Sequence, residues 1–179
     1  MRRRAGAWVL ALGILASACG SSDPTAADAS ALQLRAVRDV VPRSAPEWDT
    51  TDLTCPAEKA ARCLADRGAE QVVAPAADES KYLLGPVVVD GGDVVQATAR
   101  EGPASMGWTV DVQLSQEGSD ALASATRAAA GTRIAIIVEG RVVSAPTVAA
   151  PITSGAVVVA GGLSEAEAER LASSLDAGG

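Results

Sequence analysis

Few side chains in this sequence could perform chemistry. Histidine is absent, which excludes a Ser-His-Asp triad, a Cys-His pair and a histidine-ligated zinc site. Ser144 has no base to activate it. Two carboxylate pairs remain, Asp90 with Asp93 and Glu117 with Asp120. The general acid of such a pair must be buried. We expect these pairs in a turn and in the first turn of a helix, both in solvent, so the sequence predicts no catalytic residue.

The N-terminus has the layout of an export signal. Three arginines precede an apolar stretch, residues 5–16, which is shorter than the ~20 residues that span a bilayer. Residues 15–19, Leu-Ala-Ser-Ala-Cys, resemble the lipobox of bacterial lipoproteins, in which the signal is cleaved before a cysteine that then carries lipid. This predicts a signal peptide over 1–18, a lipid on Cys19 and a domain on the extracytoplasmic side of the cell membrane. The alternative is an ordinary signal peptide with an incidental cysteine.

The chain after Cys19 divides into a tether and a domain. Small and polar residues without an apolar period dominate residues 19–31, which predicts a flexible tether. The domain is expected over residues 32–179.

Two further cysteines, Cys55 and Cys63, lie in the predicted domain. Two thiols without histidine cannot complete a structural zinc site, and their spacing is not the Cys-x-x-Cys of redox proteins. In an oxidising compartment an even pair usually forms a disulfide. We therefore expect a structural bridge and no bound metal or cofactor.

The charge balance limits the partners. The sequence has 15 basic and 22 acidic residues, and removal of the three leader arginines leaves 12 basic residues and a net charge of −10. Such a chain is repelled by nucleic acid and by anionic lipid headgroups. Attachment to a membrane must then be covalent or mediated by protein.

Hydrophobic periodicity predicts an α+β domain, a mostly antiparallel sheet with helices packed on one face. Residues 32–37 alternate as a half-buried strand, and Glu139-Gly140 joins two strands as a tight hairpin. Gly161-Gly162 is expected to be a turn, and Ser164–Glu167 a capping box that begins the last helix. The predicted strands are 32–37, 82–89 (broken at Gly85-Pro86), 94–99, 108–114, 134–138, 141–145 and 156–160, and the helices are 117–130 and 164–178.

Several separate motifs resemble one family in order and spacing. The segments 81–87, 108–112, 117–118, 135–146, 152–155 and 161–175 are similar to the head subdomain of the first extracytoplasmic loop of SecD and SecDF, bacterial protein-export subunits, with the best match over 81–178. The residues of the structural family motif are Gly85, Pro86, Trp108, Gly118, Thr126, Gly140, Pro146, Gly155 and Gly161.

The resemblance implies a non-enzymatic module that binds protein and is accessory to export. The family's head contacts emerging polypeptide, so the partner is expected to be a translocating chain or an envelope protein. Binding by strand addition to an exposed sheet edge makes residues 156–160 the candidate surface. The alternative is a structural or assembly lipoprotein of the envelope that reuses the scaffold without a role in export.

The chain also departs from the family. The transmembrane helices of the family, which couple movement to the proton gradient, have no counterpart in these 179 residues. Proton-driven pulling is therefore not expected. Leu122 stands where the family commonly has Phe, and Val138-Glu139-Gly140 replaces Leu-Asp-Gly. These changes predict a thinner core.

Overall fold

The computed structural model describes residues 32–54, 68–73, 79–103, 106–128 and 130–176. Within them the chain forms eight strands, a short 3-10 turn and two helices. The strands are β1 (Leu32–Val41), β2 (Gln71–Val73), β3 (Lys81–Asp90), β4 (Val94–Glu101), β5 (Trp108–Leu114), β6 (Ile134–Val138), β7 (Arg141–Ser144) and β8 (Ala156–Leu163). The 3-10 turn is Gly91–Asp93, and the helices are α1 (Gln116–Ala128) and α2 (Glu165–Asp176).

The described strands divide over two antiparallel sheets. The large sheet has the order β2-β3-β1-β6-β7 and the small sheet the order β4-β5-β8. The α+β class is confirmed, and the two sheets enclose a shared core that one sheet alone could not form. Strand β1 is central in the large sheet because it pairs with both β3 and β6.

The expectation that β1 is half-buried was wrong. Leu32 and Leu34 face the main core, and the polar residues between them, Gln33 and Arg35, are buried as well. They lie opposite Ile137 and Ala135 of β6, on the side where a second hydrophobic cluster forms around Val73, Tyr82, Leu84, Ala135, Ile137 and Val142. Alternation of apolar and polar residues does not reveal a strand that is buried on both faces when its polar side chains have hydrogen-bond partners in the protein interior.

The helices cover the core with narrow apolar stripes. Ala168, Leu171, Ala172 and Leu175 are the buried residues of α2, and their spacing of three and four residues places them on one face of the helix. In α1 the buried residues are Gly118, Leu122 and Thr126. Ala125 is half-buried beside them, and Ala129 lies outside the described residues.

The hairpin between β6 and β7 has the predicted two-residue turn. Glu139 has φ 47° and Gly140 has φ 83°. Positive φ at both central residues is the signature of a type I′ turn, whose twist matches that of the flanking strands. This turn sets the register of β6 against β7.

Gly161 and Gly162 do not form the predicted turn, because both lie inside β8. Trp108 pairs with Leu163 and Thr109 with Ala160, so the two glycines are extra residues on β8, as in a β-bulge. A Cβ at Gly161 would lie 2.8 Å from the Val143 carbonyl oxygen of β7, and Gly162 has φ +71°. The glycines therefore allow the edges of the two sheets to approach at this point.

Helix α2 begins with the predicted capping box, which gives a pH-dependent stability. Glu167 accepts the Ser164 backbone N–H at 2.9 Å and the Ser164 hydroxyl at 2.6 Å. The Ser164 hydroxyl and backbone bonds lower the pKa of the Glu167 carboxyl most, desolvation opposes them, and Arg170 and Arg141 lower the pKa further. Since the folded pKa lies below the unfolded one, this contribution is complete above the unfolded pKa and is lost as pH falls through the folded pKa.

We expect the Glu167 carboxyl to titrate at lower pH in the native protein than in Ser164→Ala, which removes the hydroxyl donor. An NMR titration that follows the side-chain carboxyl carbon measures both midpoints. Equal midpoints would show that the serine does not hold this carboxylate.

Candidate binding edge

Strand β8 is an edge strand without charge. It lies at one side of the small sheet, next to β5, and none of its eight residues is ionisable. Val157 and Val159 face the core, whereas the side chain of Val158 is 54% exposed. An uncharged exposed edge can accept a further strand.

The register of β5 and β8 shows which backbone groups of β8 are free. Leu114 donates its N–H to the Gly155 carbonyl at 2.8 Å, and the register places Val112 opposite Val157. Because bonded pairs alternate along an antiparallel ladder, the N–H and C=O groups of residues 156, 158 and 160 point away from β5. Those of Ala156 lie 3.4 Å from the Ser154 hydroxyl oxygen. Within the described residues, no strand pairs with the outward groups of Val158 and Ala160.

The other edges of the described sheets are shorter or blocked. On β4, the Asp176 carboxylate accepts the Ala97 N–H at 2.7 Å, and the strand ends in Arg100 and Glu101. Strand β2 has three residues, and β7 has four and begins with Arg141. Charges and short length are the usual protection of edge strands. Among the described strands, the small sheet is therefore open at Val158 and Ala160 of β8.

A cleft of about 350 Å³ lies beside this edge. Its walls come from β1, β6, the loop 145–155 and the first residues of β8. All twelve lining residues are uncharged: Leu34, Ile134, Ile136, Pro146, Thr147, Val148, Ala149, Ala150, Ile152, Ala156, Val157 and Val158. The cleft thus favours apolar side chains of an added strand and disfavours charged ones.

The loop that walls the cleft is fixed at three points. Val148 donates its N–H to the Thr132 carbonyl at 2.7 Å. Thr126 of α1 donates its hydroxyl to the Leu122 carbonyl at 2.7 Å and accepts the Ile152 N–H at 3.0 Å. Gly155 has φ +66°, and a Cβ there would lie 2.6 Å from the Ser119 hydroxyl oxygen. The cleft is therefore held in shape by α1.

Other motif residues lie where chain segments approach closely. A Cβ at Gly118 would lie 2.7 Å from the Asp93 Cβ, so α1 starts against the 3-10 turn. Trp108 is half-buried against the main core. Gly140 forms the hairpin turn, and Pro146 is exposed at the start of the cleft loop.

Gly85 and Pro86 distort β3 without the predicted break. The strand continues to Asp90, and the register against β1 shifts between Arg35 and Val37, opposite these residues. The Gly85 carbonyl accepts a bond from the buried guanidinium of Arg35 at 3.2 Å. Sequence patterns gave no signal for this buried arginine.

One of the two carboxylate pairs, Asp90 with Asp93, forms a cap. Asp90 accepts the Gly92 N–H and Asp93 accepts the Asp90 N–H, both at 3.0 Å. The expectation that Asp90 is in solvent was wrong, because it is 1% exposed and caps the 3-10 turn. Glu117 and Asp120 are exposed on α1, where Asp120 accepts bonds from Gln116. No group of three potential metal-binding acidic or cysteine residues occurs in the described part of the chain.

The three cysteines, Cys19, Cys55 and Cys63, lie outside the described residues. The predicted signal peptide and tether do so too. In the part of the chain that is described, none of the helices has the length and apolar character needed to cross a membrane.

Comparison with known proteins identifies the family. The profile of the SecDF P1 head subdomain matches residues 69–179. The chain is 34% identical over 134 residues to protein translocase subunit SecD of Streptomyces coelicolor, covering 68% of this chain and 24% of that protein. It is 35% identical over 92 residues to SecD of Acetobacter pasteurianus, covering 51% of this chain and 18% of that protein. The chain thus spans a quarter or less of these curated relatives.

Solved structures agree. A structure of SecDF, described as a membrane component that enhances protein export, is 25% identical with a TM-score of 0.53, covering 82% of this chain and 62% of that one. SecDF in the super-membrane-facing form is 25% identical with a TM-score of 0.54, covering 82% of this chain and 18% of that one. The profile match covers more than half of the chain, which therefore belongs to the SecDF P1 head subdomain family.

Proposed function

We propose that this protein is a lipid-anchored extracytoplasmic module that binds polypeptide and is accessory to protein export. The observation that carries the proposal is the uncharged, unpaired edge of β8 on a domain of the P1 head family. SecD relatives are translocase subunits, and SecDF enhances protein export. A client that passes as an extended chain fits an edge that accepts a strand.

The main contacts in this proposal are hydrogen bonds to the backbone of the client. Val158 and Ala160 together offer two N–H donors and two C=O acceptors, so an added strand forms up to four hydrogen bonds with them. These bonds do not depend on the client's sequence. Alternate side chains of the client enter the uncharged cleft, which gives a preference for apolar residues at those positions.

The anchor and the bridge complete the proposal. Lipid on Cys19 holds the domain at the outer face of the cell membrane, and a disulfide between Cys55 and Cys63 stabilises the segment between them. The role is accessory and non-enzymatic. Movement driven by the proton gradient remains with the membrane-spanning subunits.

In-cell photo-crosslinking tests this function. A photoreactive residue at Val158 is expected to give adducts with many unrelated secreted proteins, recovered from the membrane fraction. The matched control is Val95, which is 60% exposed and lies on β4; it should give few of these adducts. Cys19→Ser should release the protein from the membrane fraction and reduce the adducts.

Two outcomes would contradict the proposal. Equal yields of secreted-protein adducts from both positions would mean that β8 is not the binding edge. Adducts confined to one envelope protein would instead support a structural or assembly lipoprotein that reuses the scaffold.

A further inference from the structure

A buried lysine lies at the end of the large sheet farthest from the β6–β7 turn. Lys81 is the first residue of β3, pairs with Val41 of β1 and is 8% exposed. Lysine is almost never this deeply buried unless its ammonium group has partners. Among the described residues, the partners of the Lys81 ammonium group belong to one segment, residues 42–54, which follows β1 and is called the strap below.

The strap surrounds the ammonium group on several sides. Lys81 Nζ donates to the Trp48 carbonyl and to the Thr51 carbonyl, each at 2.5 Å. It also lies 4.3 Å from the centroid of the Trp48 ring. Two charge-assisted hydrogen bonds and one cation–π contact thus join a single side chain to the strap.

Within the described part of the chain, the strap lies outside both hydrophobic cores. None of its thirteen residues is buried. Its turn is closed by internal bonds such as Ala45 N–H to the Pro42 carbonyl and Thr51 N–H to the Glu47 carbonyl, which do not attach it to the body. Arg43 pairs with Glu79, but both side chains are more than half exposed, and exposed ion pairs contribute little.

The strap also covers a cavity. About 260 Å³ lies between it and the sheet, lined by Asp39, Val41, Glu47, Thr51, Lys81 and Leu83. Val41 and Leu83 are half-buried there. Opening of the strap would expose these two apolar residues beside the freed ammonium group.

We propose that Lys81 is a clasp that holds the strap closed, and that the strap opens as a unit when the clasp is broken. Opening is local because the strap has no residue in either hydrophobic core. Segments with few buried contacts open at lower free energy than the whole domain.

Limited trypsin proteolysis of the full mature chain tests the clasp. Arg43 lies in the strap, whereas Arg127 and Arg170 lie on α1 and α2 and serve as internal controls. In Lys81→Met, cleavage after Arg43 is expected to accelerate at least about tenfold, because loss of one charge-assisted hydrogen bond already changes an opening equilibrium by that factor. Cleavage after Arg127 and Arg170 should not change. Amide exchange at Trp48 and Thr51 should accelerate in parallel.

The matched variant Glu79→Gln removes the ion pair of Arg43 and leaves the clasp intact. It should change cleavage after Arg43 by less than about twofold, as expected for an exposed pair. Wild-type rates in Lys81→Met, or an equal acceleration at all three arginines, would overturn the proposal. If Lys81→Met does not fold, Trp48→Leu decides: selective acceleration after Arg43 supports the clasp, and its absence overturns it.

Discussion

Replacement of Arg35 by methionine should lower the free energy of unfolding by about 3–5 kcal/mol, since two or more charge-assisted bonds are lost and their acceptors stay buried. Arg35 is 0% exposed. Its Nε donates to Gln33 Oε1 at 3.0 Å, and its Nη1 donates to the carbonyls of Ala69 and Gly85 at 2.9 and 3.2 Å. Methionine fills part of the volume but removes the donors of these three hydrogen bonds. The loss is large against a total stability of about 5–15 kcal/mol.

Urea unfolding followed by circular dichroism measures this change. The control is Arg38→Met on the same strand, because Arg38 is exposed and its contact with Glu70 is a weak one at 3.7 Å. It should cost less than about 1 kcal/mol. The loss of unfolding free energy in Arg35→Lys should lie between those of the two variants, since lysine keeps the charge but lacks the planar guanidinium group. A loss in Arg35→Met no greater than in Arg38→Met would mean that the buried bonds contribute little.

Leu122→Ala should cost about 3–4 kcal/mol, through lost transfer energy and the cavity left behind. Leu122 is fully buried in the main core, and it is the only large aliphatic residue in α1. The same helix carries Thr126, which holds the loop of the cleft. Loss of this anchor should therefore also weaken the protection of the Ile152 amide against hydrogen exchange.

The matched control for Leu122 is Val95→Ala, an apolar truncation at an exposed site on β4. We expect a change within about 0.5 kcal/mol there. Thermal or urea unfolding compares the two variants. Equal destabilisation would show that α1 is not anchored by its leucine, and an unchanged Ile152 amide would separate the helix from the cleft loop.

Local patterns predicted the parts of the fold whose cause is local. Helix α2 follows from its capping box and from an apolar residue at every third or fourth position. The β6–β7 hairpin follows from Glu139-Gly140 between two apolar runs. In each case the interacting residues are neighbours in sequence, so a single segment contains the whole signal.

The other features depend on distant residues. Arg35 is buried because Gly85, fifty residues later, presents a carbonyl to it. Gly161-Gly162 resembles a turn in sequence, but Val143 of another sheet requires the glycine at 161. The division into two sheets depends on which edges meet, and alternation within one strand contains no information about that.

The binding edge was predictable only in part. The sequence shows that residues 156–160 are uncharged, and their β-branched residues predict a strand. Whether the strand lies at an edge depends on the pairing of β5, and which amides face outward depends on the alternation that starts at Leu114 and Gly155. The role of Lys81 gave no signal, because its partners are backbone carbonyls and a ring some thirty residues earlier.

The central position of β1 determines when the domain can fold. Strand β1 pairs with β3 from nearer in the chain, but Leu32 pairs with Val138, 106 residues later, so β1 gains its second neighbour only when β6 is present. Pairings of such long range slow folding, and an unpaired apolar strand is exposed to aggregation in the meantime. The small sheet and α1 can assemble from nearer segments, but the large sheet cannot close before β6 is present. One edge of β1 therefore stays unpaired until β6 has been synthesised.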